Sequence, residues 1–259
     1  MTEERGEGGA RERVLIWARP ERAAKGPAPS RSRHQIAAAA VALADAEGME
    51  AVSIRRVAAV LEIGAASTYG YIDTKDELYD LMVDWVEGED GPPPAPSGDW
   101  RTDLSKLAYR IRGSILRHPW MASVAAGRPN FGPNSLAWTE HGLAAMDNLG
   151  ISIDEMLIAS EILQAFVRGL TTRELAEQQA LRHGGPSADE WSRMVARYME
   201  SVLSSGRYPH FGRVVSDADL PHVENYQEVL FARALERILD GLFSKSVQTA
   251  SRPGTAASA

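Results

Sequence analysis

The stretch Ser53–Leu78, SIRRVAAVLEIGAASTYGYIDTKDEL, decides the fold. Ile54, Val57, Ala58 and Leu61 recur at i, i+3, i+4 and i+7, which is one apolar face of a helix. Glu62-Ile63-Gly64 breaks that pattern, and Gly64 is expected to supply the turn. A short second helix is predicted from Ala65 to Tyr71. Thr74-Lys75-Asp76-Glu77 reads as a capping box, a threonine N-cap with glutamate three residues on. Leu78, Leu81, Met82 and Trp85 then continue at helical spacing. Helix, short glycine-containing turn and helix make a helix-turn-helix pattern.

The residue types of the second helix sharpen this reading. Ala65, Ala66, Ser67 and Thr68 are small or carry hydroxyls, where a helix buried on all sides would carry leucine or isoleucine. Such a surface lets a grooved partner come close to the backbone. Tyr69, Tyr71 and Lys75 follow with the hydroxyl and ammonium donors that hold phosphates. Lys75 also stands at a helix N-terminus, where free amides and the dipole favour an anion. The competing reading, an exposed low-complexity helix in an all-α protein, does not account for this clustering of donors.

Working outward, Ser32 is expected to cap a first helix, with Gln35 three residues on and Gly48 at its end. The three-helix unit would be cored by Ile36, Ala40, Leu43, Val52, Ile54, Val57, Leu61, Ile63 and Ile72. A fourth helix is predicted from Lys75 to about Glu87. Before the unit, residues 1–30 form a basic, partly disordered arm, which either follows DNA into a minor groove or is a solvated tail, and in which Val14-Leu15-Ile16-Trp17 is a short apolar island. That island either docks on the body of the protein or forms a turn of helix. Arg31 and Arg33, nearest the first helix, are the residues of this region expected to meet a nucleic acid.

After residues 31–88, residues 89–98 carry three successive prolines between glycines and form a linker. Residues 99–245 read as further helices: Asp99–Arg117, Trp120–Ala126, Asn134–Leu149, Asp154–Leu181, Ala188–Leu203 and Val229–Phe243, with Gly206–His222 as a loop. On the long Asp154–Leu181 helix the core stripe is expected at Leu157, Ile158, Glu161, Ile162, Ala165, Phe166 and Leu170. Residues 246–259 are rich in Ser, Thr, Ala and Gly and are expected to be disordered. The predicted class is all-α.

The net charge of -7 argues against a nucleic-acid partner when taken alone. Its distribution argues otherwise. Between Arg11 and Ile36 there are seven basic residues against Glu12 and Glu21, a local net of +5. Local sign decides where phosphate binds. There is no cysteine, hence no disulfide framework. The charged, glycine-rich start is unlike a signal peptide, and the longest apolar run, Ile36–Ala44, is too short to span a bilayer. A cytoplasmic protein is expected.

The run from Leu61 to Leu78 resembles the DNA-binding domain of the TetR (tetracycline-repressor-like) family. That family's pattern is Leu-Gly-Val-Ser, three variable residues, then Leu-Tyr-x-His-Phe-x-x-Lys-x-x-Leu. Tyr69 and Lys75 match it, and Ile63, Ile72 and Leu78 are apolar equivalents. Glu62, Gly64, Thr68 and Tyr71 stand where Gly, Ser, Leu and His are common. The resemblance covers about Arg31 to Val86 and implies DNA contacts from Arg31, Arg33, Arg55, Ala65, Ser67, Thr68, Tyr69, Tyr71 and Lys75. It further implies a second domain that binds a small effector and forms a homodimer through the Asp154–Leu181 and Val229–Phe243 helices. Trp100, Trp120, Arg128, Trp138, Met146 and Phe166 are the large or charged side chains expected to line the effector site.

The histidines lack the spacing of a helical metal pair, and Ala125 falls where tetracycline-type members carry a metal-binding histidine. No phosphate loop, nucleophile elbow or dinucleotide fingerprint is present. No metal, no cofactor and no enzymatic activity are expected. The reading is therefore a DNA-binding transcriptional regulator, a repressor released from operator DNA by an apolar or aromatic effector. The alternatives are a helical enzyme or ligand carrier with a vestigial helix-turn-helix, and a non-specific DNA-packaging protein.

Overall fold

The computed structural model describes residues 14–20, 31–124, 129–182, 184 and 186–243. The rest of the arm, Ala125, Arg128 and the 246–259 tail lie outside the described residues. The described chain is all-α: α1 Arg33–Glu47, α2 Ile54–Val60, α3 Ala65–Thr68, α4 Lys75–Glu87, α5 Trp100–Arg117, α6 Met121–Val124, α7 Pro133–Met146, α8 Ile153–Arg182, α9 Ala188–Ser204, α10 Pro209–Asp217 and α11 Tyr226–Leu242.

The chain divides into two compact units. The first comprises residues up to Pro92 together with Ser123–Trp138, and the second Pro93–Ala122 with Thr139 onward. Ser123–Trp138 thus groups with the first unit rather than with the helices flanking it in sequence.

In the first unit, Ser32 caps α1 with both halves of a capping box: its hydroxyl accepts from the Gln35 amide at 3.2 Å, and the Gln35 side chain accepts from the Ser32 amide at 3.0 Å. Such a cap contributes about 1 kcal/mol. Gly48, at φ 84°, ends the helix in a backbone region that costs a residue with a Cβ. Ile36, Ala40, Leu43, Val52, Val57 and Ile72 are buried as expected, while Ile54, Leu61 and Ile63 are only partly so. Helix α1 packs chiefly on α4, whose Leu78, Leu81, Met82, Val83 and Val86 are all buried. The apolar island does both things expected of it. Ile16–Ala18 is a turn of 3₁₀ helix, and Ile16 is 1 % exposed.

The second unit is built on α5, α8 and α11. Its core joins Trp100, Leu104 and Ala108 of α5 to Met156, Ala159, Leu163 and Val167 of α8 and to Phe231, Leu235 and Leu239 of α11. Arg112 and Glu174 cross this core as a two-pronged ion pair, with N–O distances of 3.0–3.1 Å. The guanidinium also reaches Glu228 at 2.5 Å and lies 4.9 Å from the centre of the Phe231 ring.

Two sequence expectations fail in this unit. Gly206–His222 is not a loop: α10 forms there with Pro209 at its first turn, where a missing N–H costs nothing. On α8 the expected stripe is only partly inward: Phe166 and Leu170 pack at the edge of the core, but its N-terminal half faces out. Leu157, Ile158 and Ile162 are 56, 49 and 43 % exposed, and the buried stripe is Met156, Ala159, Leu163 and Val167.

Candidate nucleic-acid interface

Helix α2 ends at Val60 with Leu61 as its C-cap, and Glu62, not Gly64, takes the left-handed conformation that turns the chain, at φ 55°. Gly64 sits at φ -64°, which any residue adopts, and caps α3 without a side-chain hydrogen bond. A glycine, which the family pattern has at this place, would remove the Cβ cost of a left-handed residue.

Helix α3 is shorter than expected, ending at Thr68, with Tyr69–Tyr71 as a turn. Ala65 opens it. Ala66 and Ser67 are exposed, and so is Tyr69 at 57 %. Thr68 is a correction. Its side chain is fully buried and its hydroxyl has no hydrogen-bond partner among the described residues, so it faces the unit's interior instead of outward. Tyr71 is a second correction. It is buried, and its hydroxyl accepts from the Arg31 amide at 3.2 Å.

Arg33 is a third. Its Nη1 donates to the carbonyls of Ile16 and Arg19 at 2.8 and 2.9 Å, and its Nε to the Tyr71 carbonyl at 3.2 Å. That guanidinium ties the N-terminal segment to the turn after α3. Arg31 is half-buried and donates to the Leu61 carbonyl at 3.0 Å. Arg55 is exposed on the first turn of α2.

Lys75 is exposed on the first turn of α4, its ammonium 5.3 Å from the centre of the Tyr79 ring. The N-terminus of α4 departs from a strict capping box. Thr74 accepts from the Glu77 amide at 3.1 Å, but the Glu77 carboxylate reaches one residue further back, to the Asp73 amide at 2.7 Å. The same carboxylate pairs with Arg19, which also pairs with Asp73.

The far end of α4 carries a group that sequence reasoning missed. Asp84, 5 % exposed, lies between buried Val83 and half-buried Trp85. Its Oδ1 accepts from the backbone amides of Asn134 and Ser135, both at 2.9 Å, so that α4 supplies the N-cap of α7. Its Oδ2 accepts from the Asn134 side chain at 3.1 Å. Burial pushes this carboxyl above its ordinary value, while the hydrogen bonds from Ser135 and Asn134 pull the other way. Gly132 lies against it with no room for a Cβ. Asn130 donates to the Asp80 carbonyl at 2.7 Å and Trp138 to the Glu87 carbonyl at 2.9 Å. The only hint in sequence was a lone acid inside the apolar run LMVDWV.

The side chains expected to line the effector site are scattered. Trp138 is half-buried in the first unit, held by its bond to Glu87. Trp100 and Met146 are core of the second unit, and Trp100 meets Phe243 edge-on at 4.9 Å. Phe166 packs at the edge of that core, stacked on Phe231 at 5.6 Å. Trp120 is buried beside His118, 6.0 Å between ring centres. Trp100 and Met146 thus belong to the packed core of the second unit, 3 and 0 % exposed.

Helices α2 and α3 joined by the turn at Glu62, with α4 following, make this a helix-turn-helix protein. The comparisons with known proteins agree. Residues 92–245 match the family described as "Tetracyclin repressor-like, C-terminal domain". The chain is 36 % identical over 249 residues to the HTH-type transcriptional repressor DrrR1 of Streptomyces coeruleorubidus, covering 96 % of this chain and 89 % of that one. It is 35 % identical over 197 residues to an HTH-type transcriptional regulator of Saccharopolyspora erythraea, covering 76 % and 83 %. Among solved structures, apo ActR of Streptomyces coelicolor superposes with a TM-score of 0.66 at 26 % identity, over 87 % of this chain and all of that one. ActR in complex with actinorhodin gives the same score and identity, over 83 % and 96 %. The chain belongs to the TetR family and is a DNA-binding transcriptional regulator. Members of this family are in general not enzymes. No helix among the described residues is long and apolar enough to cross a membrane.

Proposed function

We propose that the protein is a cytoplasmic, homodimeric repressor that leaves its operator when a small apolar or aromatic molecule binds the second unit. Residues 31–88 are the DNA-binding domain in this reading and 99–245 the effector and dimerisation domain. The observation that carries it is the exposed face of Ala66, Ser67 and Tyr69 lying next in the chain to Lys75 at the start of α4. Ser67 reads base edges, and Tyr69, Lys75 and Arg55 hold phosphates. The names of the relatives support repression, and the actinorhodin complex of ActR supports a small-molecule effector. No cofactor and no catalytic step enters this reading. The alternatives, an enzyme and a DNA-packaging protein, are separated from it by ligand turnover and by the absence of sequence preference.

The outer row of α8, Leu157, Ile158 and Ile162, supports dimerisation through α8 and α11, since an apolar face of this kind is stable only when covered. A dimer reads two half-sites about 34–36 Å apart. Control then runs through α4 and α7. Asp84 fixes the end of α4 to the start of α7, whose residues from Thr139 onward belong to the second unit. An effector that shifts α7 pulls on α4 and changes the spacing of the two recognition helices. Phe166 and Trp120, at the margins of the second unit's core, are the side chains we assign to the effector.

The test is reciprocal titration of the dimer with operator DNA, selected from random sequence, and with actinorhodin as probe, read by tryptophan quenching and DNA anisotropy. A hundredfold loss of operator affinity requires about 2.7 kcal/mol of coupling, and operator must then weaken the probe by the same factor. Equal probe affinity with and without operator overturns the mechanism. Lys75→Ala is expected to weaken all sequences alike and to reduce the salt slope by about 1.

A further inference from the structure

The segment Val14–Pro20 does more than precede the DNA-binding unit. It is seated on that unit by the buried Ile16 side chain and by the two carbonyls that accept from Arg33. From this seat Arg19 extends over the first turn of α4. Its Nη2 lies 2.6 Å from Glu77 Oε2, and its Nη1 pairs with Asp73 Oδ2. The Arg19 and Glu77 side chains are 23 and 16 % exposed, so solvent screens their pair less than an ordinary surface ion pair. Asp73 is more open, at 59 %.

The charge at this corner poses a problem for DNA binding. Asp73, Asp76 and Glu77 surround Lys75 in sequence, three carboxylates against one ammonium. Carboxylates stabilise a helix N-terminus, but the same end is where a phosphate is to sit. A phosphate approaching Lys75 therefore meets net negative charge unless something compensates it. Arg19 supplies a cation that pairs with two of the three.

We propose that Arg19 is a positioning residue of the operator interface, which acts by offsetting the charge of Asp73 and Glu77 beside the Lys75 phosphate contact and not by touching DNA itself. This rests on the reading that Lys75 holds a phosphate. The N-terminal segment is then a strap that delivers one guanidinium to the helix-turn-helix. Arg33 fixes the strap's backbone, and Ile16 fixes its depth.

The test uses full-length protein and operator DNA. Arg19→Gln keeps hydrogen-bond donors for the carboxylates and removes the charge. It is expected to lower operator affinity on the order of tenfold at low salt and less at high salt. Adding Asp73→Asn and Glu77→Gln to that variant is expected to restore affinity to within about threefold of the starting protein, because the uncompensated charge is gone. The amide oxygen introduced by Glu77→Gln still accepts from the backbone N–H of position 73, so the turn is kept. The gain in affinity must exceed that which Asp73→Asn with Glu77→Gln gives when Arg19 is kept; a merely structural Arg19, or one that binds phosphate directly, predicts equal gains in both backgrounds, and that result overturns the proposal. Unchanged affinity for Arg19→Gln overturns it too. Lys75→Ala in the same assay separates the two levels. If it has no effect, the phosphate reading of this corner fails; if it weakens binding while Arg19→Gln does not, only the role of Arg19 fails.

Discussion

Helices α4 and α8 are both rich in Leu, Met, Ile and Val, and they use these residues in opposite ways. On α4 the apolar residues Leu78, Leu81, Met82, Val83 and Val86 are all buried by the chain's own first unit. On α8 one row, Met156, Ala159, Leu163 and Val167, is buried, while Ile153, Leu157, Ile158 and Ile162 stay 43–71 % exposed. A helix with one apolar face is satisfied by one neighbour. A helix with two needs two, and among the described residues α8 packs chiefly on α5 and α11, which cover its inner row. Apolar periodicity reports that a face must be covered; it does not report whether the cover comes from the same molecule.

The largest test of this contrast is a charge on the outer row. Ile158→Glu with Ile162→Glu is expected to leave monomer in place of dimer at micromolar concentration, with unchanged helical content, by sedimentation and circular dichroism. Val60→Glu, on an apolar side chain of the first unit that is 55 % exposed, serves as the control and leaves the mass unchanged. A doubly charged α8 that stays dimeric moves the dimer interface elsewhere.

Next is the inner side of α8. Arg112→Ala is expected to cost about 3–5 kcal/mol in denaturant unfolding, because it strands the buried Glu174 carboxylate. Replacing both partners, Arg112→Met with Glu174→Leu, should recover most of that loss. A single variant as stable as the parent shows that the pair is solvated in solution.

On α4 the Asp84 cap is expected to be worth about 1–3 kcal/mol by Asp84→Ala. Asp84→Asn keeps an oxygen for the two amides that Oδ1 serves and should cost less. Its pH dependence has a definite sign. The folded carboxyl is raised above its ordinary value, so its contribution to stability is present at acid pH and is lost as pH rises through that folded value. The stability of Asp84→Asn relative to the parent should therefore rise from acid to neutral pH, as measured by urea melts. A difference that falls over the same range contradicts the burial of this charge.

The smallest effects belong to the turn leading into α3. Glu62→Gly relieves a left-handed residue and should stabilise by about 1 kcal/mol. Thr68→Val removes a buried hydroxyl without a partner and should gain a similar amount or less. Thermal melts check both. A destabilised Thr68→Val would reveal a hydrogen bond for that hydroxyl in solution.

The helix-turn-helix was legible because its signals are local. Caps at Ser32 and Thr74, the i, i+3, i+4 pattern of α2 and the small residues of α3 all act within a few positions of the chain. The errors inside it have local causes as well. Glycine was assumed to be the turning residue, whereas Glu62 is. Thr68 and Tyr71 were read as donors to a partner, although a hydroxyl residue next to a core position can equally point inward. The second unit was less legible because its aromatic residues serve as packing and as lining alike, and nothing in the order of residues separates Trp100, a core residue, from Phe166 at the core's edge.

What the sequence determined by itself was the class of every long helix, the helix-turn-helix and its exposed small face, since these follow from backbone capping and from apolar spacing along one segment. What only the tertiary structure decided was which groups far apart in the chain meet: Arg19 with Asp73 and Glu77, Arg33 with the strap, Asp84 with the start of α7, and Arg112 with Glu174. The reason is physical. A polar side chain states only that it needs a partner, and desolvation makes that need strong once it is buried. Which partner answers is set by the packing of the whole unit and is written in no single stretch of it.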